Sequence, residues 1–238
     1  MTIIQAAARA ACAAMLALGL TTAAPAAAHE ISPRPSCLGG RVVIDGADEY
    51  EAELVCRGIT AAAAALGRCG YAPPASVAVE FANRLIDVDG FARRGEYVTG
   101  TRLIRFQTLA AFMTANKASF AGVPVSFAAL YASIAAHEMT HAIFGEAARH
   151  LDLVPAAQEY VAYAVQVATL PSGVRDALLA KYPEPPAESL FVFSPFLLYA
   201  DPERFAVAAW RHFMGAGNGC GMLDRIVSEK VHFPPPGD

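Results

Sequence analysis

The longest hydrophobic pattern in the chain has the period of an α-helix and extends from Val125 to Ala148. Side chains that recur at spacings of three and four residues share one face of a helix, and most of those found here are apolar. They are Leu130, Ile134, His137, His141 and Phe144. The pattern predicts one long helix with a buried face, and two histidines lie on that face.

Capping signals and helical periods predict further helices. One extends from Glu49 to Cys69, because Asp48 and Glu51 match a capping box and Gly70 is a stop signal. Proline is favourable at the first helical position, since its backbone angle already fits and its missing N–H would have no partner. The other predicted helices are Pro155–Leu170, Ser172–Lys181, Phe205–Phe213 after the start signal Asp201-Pro202, and Met222–Lys230.

Short segments of the N-terminal half alternate between apolar and polar residues, as half-buried β-strands do. They are Arg41–Ile44, Val77–Phe81 and Thr101–Phe106, and Asp87–Thr99 is predicted to be a loop or hairpin. Strands followed by helices indicate an α+β fold. We predict a small mixed β-sheet with packed helices in residues 29–124 and a helical part in residues 125–238.

A dense apolar cluster follows the proline-rich, acidic connection at residues 182–188. Its members are Phe191, Phe193, Phe196, Leu197, Leu198 and Tyr199. Such a cluster can line a substrate pocket, but large apolar side chains are more often buried in a core. We therefore expect these side chains to pack in the core.

Residues 1–28 have the pattern of a secretory signal peptide. Arg9 is the only charged residue before the apolar segment Ala10–Leu20, and the small residues Ala26-Ala27-Ala28 follow. An uncleaved membrane anchor is the alternative, but the polar residues and the proline near its end favour cleavage. We expect an exported protein, periplasmic or secreted, with a single domain over residues 29–238 and no membrane contact after cleavage.

The charge balance argues against nucleic acid as a partner. The 238 residues carry a formal net charge of −4, and only 17% of them are charged. No basic cluster lies along the sequence, whereas binding to a phosphate backbone requires clustered Lys and Arg side chains.

Removal of the signal peptide with its Cys12 leaves four cysteines, Cys37, Cys56, Cys69 and Cys220. An even number of cysteines without a CxxC pair in an exported chain indicates disulfides rather than zinc ligands. Cys56 and Cys69 lie about 20 Å apart on one predicted helix, whereas a disulfide needs Cα atoms within about 7 Å. We expect the returning helix to bring Cys69 to Cys37, which gives the pairs Cys37–Cys69 and Cys56–Cys220.

The long predicted helix carries His137-Glu138-Met139-Thr140-His141, an HExxH motif. Side chains four residues apart lie one turn above each other, so both imidazoles can bind one tetrahedral zinc ion. Glu138 is rotated from them by about a quarter turn, where it can act on a water molecule as a general base. The motif fixes only three positions, so a helical domain with an accidental match is one alternative.

A catalytic zinc site needs a third protein ligand, and three candidates can be compared. The pattern HExxHxxGxxH fails, because Phe144 and Ala147 stand where its glycine and its third histidine would be. Asp152 is predicted to lie in a loop, where an acid is readily solvated. Glu159 is the only acid of the second predicted helix, so it needs a buried partner, and zinc is a suitable one.

Two histidines on one helix and a glutamate on the next resemble the gluzincin branch of the zincin metallopeptidases. The resemblance covers about residues 126–166. It implies a zincin-like fold with Glu138 as the general base and one zinc ion on three ligands, His137, His141 and Glu159. Thermolysin-like enzymes have an Asp four residues after the glutamate ligand, whereas this chain has Tyr163. The hydrogen-bond partner of a ligand histidine is therefore not identified by the resemblance.

The same resemblance implies two further roles. Zincins hold the substrate backbone by adding it to an edge strand, and Thr101–Phe106 is the candidate for that strand. Gluzincins stabilise the oxyanion with a downstream His or Tyr, and the candidates here are His212, Tyr163 and Tyr199.

These features predict an exported zinc-dependent hydrolase, most specifically a metallopeptidase that acts on a peptide or protein substrate. The alternative from another class is a periplasmic zinc-binding and interaction domain without catalytic activity.

Overall fold

The computed structural model describes residues 34–86, 90, 92–215 and 217–235, and the predicted signal peptide at residues 1–28 lies outside them. Strands occupy the N-terminal half of the described part and helices dominate the C-terminal half, so the predicted α+β class is confirmed. None of the helices in these ranges is both long and apolar enough to cross a membrane.

The β-strands of the described part are β1 (Ser36–Cys37), β2 (Val42–Ile44), β3 (Val77–Ala82), β4 (Leu85–Ile86), β5 (Ala92–Arg93), β6 (Gly95–Val98), β7 (Leu103–Gln107), β8 (Ser119–Phe120) and β9 (Val123–Pro124). Five of them form one mixed sheet in the order β1-β2-β3-β7-β6, while β4 pairs with β5 and β8 with β9. The central strands β2, β3 and β7 are parallel, and the edge strands β1 and β6 are antiparallel to their neighbours.

One face of this sheet is buried and the other faces solvent. Alternate residues of the central strands have almost no exposed surface: Val42, Ile44, Val77, Val79, Ile104 and Phe106. On the opposite face, Arg105 forms ion pairs with Glu80 and Glu96 on the two neighbouring strands. The period of two in the sequence therefore results from a sheet that helices cover on one side only.

The α-helices of the described part are α1 (Glu49–Gly67), α2 (Leu109–Ala115), α3 (Phe127–Ala147), α4 (Pro155–Thr169), α5 (Ser172–Lys181), α6 (Pro195–Ala200), α7 (Pro202–Met214) and α8 (Cys220–Val227). Most agree with the predicted helices to within a few residues at each end. The last helix differs more, since it begins and ends earlier than the predicted Met222–Lys230. Its early end follows from Glu229, whose φ of 55° is incompatible with a right-handed helix.

The start of α1 follows the predicted capping box only in part. The Asp48 side chain accepts a hydrogen bond from the N–H of Glu51 at 2.8 Å, as the box requires. Glu51 does not complete the box, because its buried carboxylate accepts hydrogen bonds from the Tyr131 hydroxyl at 2.9 Å and from the N–H of Leu109. Glu51 therefore links α1 to α3 and caps the start of α2.

The helix with the HExxH motif is buried on nearly every side rather than on one face. Of its residues from Leu130 to Phe144, all but His141 are buried. Helices α1 and α4 and strand β6 pack around it. The contact with α1 depends on Gly58, because a Cβ atom at this position would lie 2.0 Å from the carbonyl oxygen of Ala132.

Two disulfides are present, but the predicted pairing is wrong. Cys37 is bonded to Cys56 with a Cα–Cα distance of 5.5 Å, and Cys69 is bonded to Cys220 at 5.0 Å. The middle of α1, and not its end, passes the strand that carries Cys37. Because the rest of the helix then carries the chain roughly 20 Å further, Cys69 reaches the start of α8 instead.

Half of the apolar cluster that was expected in the core lies at the surface. Phe193 and Leu198 are buried, whereas Phe191, Phe196 and Tyr199 each expose 77% of their surface. The segment is a 3₁₀ turn followed by the short helix α6. A single short turn that packs on a surface can direct only some of its side chains inward, so the expectation is wrong for half of the cluster.

Candidate metal centre

The histidines of the HExxH motif lie where α4 turns back beside α3. Ser126 caps the start of α3 by accepting a hydrogen bond from the N–H of Ala129. Pro155 is the first residue of α4, after a short loop at residues 148–154. This reversal places Glu159, one turn into α4, next to His141.

Three side chains direct their ligand atoms toward one point. The Nε2 atoms of His137 and His141 are 3.1 Å apart. The carboxylate oxygens of Glu159 lie 3.2 Å from Nε2 of His137 and 3.4 Å from Nε2 of His141. Ligand atoms at about 2.0–2.2 Å from a tetrahedral zinc ion are roughly 3.3–3.6 Å from one another. The three donors therefore already have nearly the mutual spacing that one zinc ion requires.

These residues form the only cluster of three potential metal ligands among the residues that the structure describes. Asp152, the competing candidate from the sequence, is exposed in the loop before α4 and does not belong to the cluster. Of the acids near the motif, Glu159 is thus the one that the fold brings to the two imidazoles.

The electrostatics of the cluster favour an ionised Glu159. Burial raises the pKa of this carboxyl group, but the charges of His141 and His137 and their hydrogen bonds outweigh burial and lower it overall. The pKa of His137 shifts the other way: burial lowers it, while Glu159 and Glu138 raise it more. A carboxylate that faces two imidazoles forms a suitable donor set for zinc.

Glu138 lies beside the cluster and is almost fully covered. Only 6% of its surface is exposed, and burial raises its pKa even though His137 and His141 lower it. The backbone N–H of Tyr97 on β6 lies beside the carboxylate and also lowers its pKa. A Cβ atom on Gly95 would lie 3.0 Å from Glu138, so the absence of a side chain at this position allows the close approach.

The edge strand at the site is β6 and not the predicted Thr101–Phe106. That segment forms β7, which is hydrogen-bonded on both sides, to β3 and to β6. The N–H of Gln107 donates to the carbonyl of Arg94, so Arg94 faces β7. Backbone groups of an antiparallel strand alternate in direction, and those of Gly95 and Tyr97 therefore point away from the sheet toward α3.

The three oxyanion candidates lie in different surroundings. The ring of Tyr163 is 4.6 Å from the ring of His137, and burial together with Glu159 raises the pKa of its hydroxyl group. The ring of Tyr199 is exposed on α6.

The structure places His212 in an aromatic cluster rather than with the ligands. It is buried on α7, and its Nδ1 is hydrogen-bonded to the Tyr160 hydroxyl at 2.7 Å. Its ring also packs against Phe193 at 5.4 Å. The oxyanion role inferred for His212 therefore has no geometric support, and Tyr163 is the candidate nearest to the cluster.

Sequence reasoning missed three groups at the site: Gly95, the N–H of Tyr97, and Gln166. The first two lie in a segment that was predicted only as a loop or hairpin. Gln166 follows Glu159 by seven residues and is buried. Two helical turns separate these residues, so both lie on the same face of a largely apolar helix. A second polar side chain on that face could have indicated from the sequence that Gln166 belongs to the site.

Comparison with known proteins identifies one family and no characterised relative. A family model described as "Family of unknown function (DUF6639)" matches residues 42–235. The match includes the strands and helices that form the candidate metal centre. No curated protein and no solved structure matches the chain.

Proposed function

From the geometry of the site, we propose that this chain, which belongs to DUF6639, a family of unknown function, is an exported zinc-dependent hydrolase, most specifically a metallopeptidase. The observation that carries the proposal is the convergence of His137, His141 and Glu159 at distances of 3.1–3.4 Å. Glu138 lies beside them without being part of the donor set.

The donor set fits a catalytic zinc ion better than a structural one. Structural zinc sites usually have four protein ligands, whereas catalytic sites have three and leave one position open. Two imidazole nitrogens with one carboxylate belong to the second class. When bound, zinc would act as a Lewis acid that polarises a carbonyl group and lowers the pKa of a coordinated water.

Glu138 is the residue that would move protons in this reaction. Its carboxylate accepts the proton of the attacking water and then passes it to the leaving amine. Burial raises the pKa of Glu138, which brings it closer to neutral pH, where a general base is most effective.

Strand β6 is the candidate substrate-binding element. Its outward-facing backbone groups at Gly95 and Tyr97 lie beside Glu138. An extended peptide that added to this edge would place its own backbone next to the general base. A peptide or protein substrate is consistent with this arrangement.

Export is supported by the two disulfides, because such bonds persist in oxidising compartments. The more specific assignment to the periplasm or the secreted fraction depends on the signal-peptide pattern of residues 1–28.

A zinc-binding domain without catalytic activity is the second candidate, and the burial of Glu138 favours it. Glu138 exposes only 6% of its surface, and the N–H of Tyr97 lies beside its carboxylate. A substrate carbonyl and a water molecule need space that Gly95 and the rest of β6 partly occupy. On this alternative the site holds zinc, but no substrate reaches Glu138.

The first experiment tests the metal. The protein purified from the exported fraction should contain about one equivalent of zinc, and removal by a chelator should lower its melting temperature, because zinc binds only the folded chain. Zinc content that does not exceed the background, with a melting temperature that the chelator does not change, would contradict both candidate functions.

The second experiment separates the enzyme from the binding domain. Glu138→Gln keeps the size and hydrogen bonding of the side chain but removes the proton acceptor, so zinc content should be unchanged. Hydrolysis of an unlabelled peptide library should fall by about 10²–10⁴-fold. His137→Ala is the control, because it should lose zinc and activity together. Full activity of Glu138→Gln would falsify the catalytic role, and a parent protein that binds zinc but cleaves no peptide would support the second candidate.

A further inference from the structure

One polar atom of the cluster has no partner. Nε2 of His137 faces Glu159 and His141, whereas Nδ1 of the same ring is buried and makes no hydrogen bond of ordinary geometry. Metal-bound histidines almost always donate their second ring N–H to an acceptor, which fixes the tautomer and the orientation of the ring. A zinc ligand at this position therefore requires an acceptor on the Nδ1 side.

Gln166 on α4 is a buried polar side chain that contacts α3 one turn before His137. Its Nε2 donates to Oγ of Ser133 at 3.3 Å, and Ser133 lies one turn before His137 on α3. Gln166 and Ser133 are both buried, with 5% and 1% of their surfaces exposed. The amide of Gln166 thus lies beside the face of α3 that carries His137. The side chain of Gln166 is also close enough to His137 to be among the groups that raise its pKa.

The hydrogen bonds of Ser133 decide which way the amide points. Its hydroxyl group has one proton, and this proton is donated to the carbonyl of Leu130 at 2.7 Å. The serine oxygen can then only accept, so the group of Gln166 that faces it must be the NH₂. The carbonyl oxygen Oε1 of Gln166 remains as an acceptor for another donor.

We propose that Gln166 is a positioning residue for the metal ligand His137, with its Oε1 accepting a hydrogen bond from Nδ1–H. This interaction holds the tautomer in which Nε2 carries the lone pair that binds the metal. The inference rests on the proposed zinc site and deepens it. It also supplies a partner that Tyr163 does not, since the ring of Tyr163 packs edge-on against His137.

A neutral acceptor has a consequence for the charge of the centre. Two carboxylates, those of Glu159 and Glu138, already lie beside the imidazoles. A third carboxylate behind His137 would be buried and would repel both. An amide orients the imidazole without adding charge. The positive charge of a divalent ion would therefore be balanced mainly by the carboxylate of Glu159.

Three variants test the proposal through zinc affinity. Gln166→Leu removes the acceptor, and competition with a chelator should measure an affinity about 10–100-fold lower than that of the parent, the usual cost of losing such a partner. Gln166→Glu keeps an acceptor and should retain more of the affinity than Gln166→Leu. Gln158→Leu is the matched control on the same helix, because its amide donates to the carbonyl of Leu153 and should not affect zinc.

A spectroscopic measurement separates positioning from mere packing. In the zinc-loaded parent with ¹⁵N-labelled histidine, His137 should have a protonated, exchange-protected Nδ1, and Gln166→Leu should lose this protection. Equal zinc affinity in the parent and in folded Gln166→Leu would overturn the proposal. A zinc-loaded parent with an unprotonated Nδ1 on His137 would overturn it even if Gln166→Leu did not fold. Failure of the parent to bind zinc would instead contradict the proposed function itself.

Discussion

At the scale of single residues, the candidate centre depends on three side chains whose donor atoms lie close together. The two facing Nε2 atoms are held together partly by the carboxylate of Glu159, which contacts both. The same contacts lower the pKa of Glu159, which favours the ionised carboxylate that a cation would bind. On the proposed function, zinc would replace a set of hydrogen bonds whose geometry already suits it.

The ligand assignment leads to a paired prediction. Glu159→Gln should weaken zinc binding by more than the roughly 10–100-fold cost of losing an outer partner, because a ligand itself is lost. Asp152→Asn should leave zinc binding unchanged, since Asp152 is exposed and outside the cluster. Chelator competition on both variants makes the measurement. A stronger effect of Asp152→Asn than of Glu159→Gln would show that the loop carries the ligand.

His212 gives a prediction about stability and pH. Burial and the nearby Arg225 lower the pKa of His212 below its ordinary value of 6.5. The unfolded chain therefore takes up a proton more readily than the folded chain as the pH falls below about 6.5. The stability present above this pH should be lost progressively toward the lowered pKa of the folded state.

Denaturant unfolding of metal-free protein at pH 7.5 and pH 5.5 makes this measurement. The loss of stability on acidification should be smaller in His212→Gln, which keeps a partner for the Tyr160 hydroxyl but does not titrate. Metal-free protein is required because zinc release at low pH would add its own pH dependence. An identical pH dependence in parent and variant would rule out His212 as the cause.

At the scale of secondary-structure elements, α3 is central because other elements pack closely on several of its sides. Helix α1 approaches through Gly58, α4 through the ligand face, and β6 through Gly95. Small residues at the contacts allow short distances between backbones. The position of α3, and with it the orientation of both imidazoles, is therefore fixed by packing rather than by its own hydrophobic pattern.

A pair of glycines on α1 tests this packing. Gly58→Ala should destabilise the fold by about 1–3 kcal/mol or more, because the new Cβ would lie 2.0 Å from the carbonyl oxygen of Ala132. Gly67→Ala, at the end of the same helix with no atom within 4 Å of the new Cβ, should be neutral or stabilising by up to about 1 kcal/mol. Equal unfolding free energies for the two variants would mean that α1 can move away from α3 at little cost.

At the scale of the whole molecule, the disulfides connect distant parts of the chain unequally. Cys37–Cys56 joins the first strand to the middle of α1 across 19 residues, whereas Cys69–Cys220 joins the turn after α1 to the start of α8 across 151. The Tyr71 hydroxyl supports the second connection by donating to Asp224 at 2.8 Å. The sheet-containing part and the C-terminal helices are thus held together covalently.

Removal of each disulfide should have a different cost. The chain-entropy model predicts a loss of about 3 kcal/mol for Cys37→Ala/Cys56→Ala and about 5 kcal/mol for Cys69→Ala/Cys220→Ala, because the longer closed loop restricts the unfolded state more. Denaturant unfolding under non-reducing conditions compares the double variants without leaving free thiols. A larger loss for the shorter loop would indicate that native-state contacts, rather than loop length, dominate.

The sequence by itself determined the features that depend on local periods and on spacing along one helix. The helix over the HExxH motif, the start of α4 at Pro155, and the strands with alternating burial could all be predicted, because each is set by neighbouring residues. The juxtaposition of His137 with His141 follows from helix geometry alone. Selection of Glu159 over Asp152 followed from the composition of a single helix.

Only the tertiary structure decided the features that depend on which element lies next to which. The disulfide partners, the edge strand β6 and the position of His212 all depend on where helices and strands cross, and no local period encodes a crossing. Exposure of Phe191 and Phe196 has the same origin, since hydrophobicity does not reveal whether a neighbouring element covers a side chain. The proposed pairing of Gln166 with His137 also depends on a crossing: the sequence places Gln166 on the same face as Glu159, but only the antiparallel packing of α4 on α3 brings it to Ser133, one turn from His137.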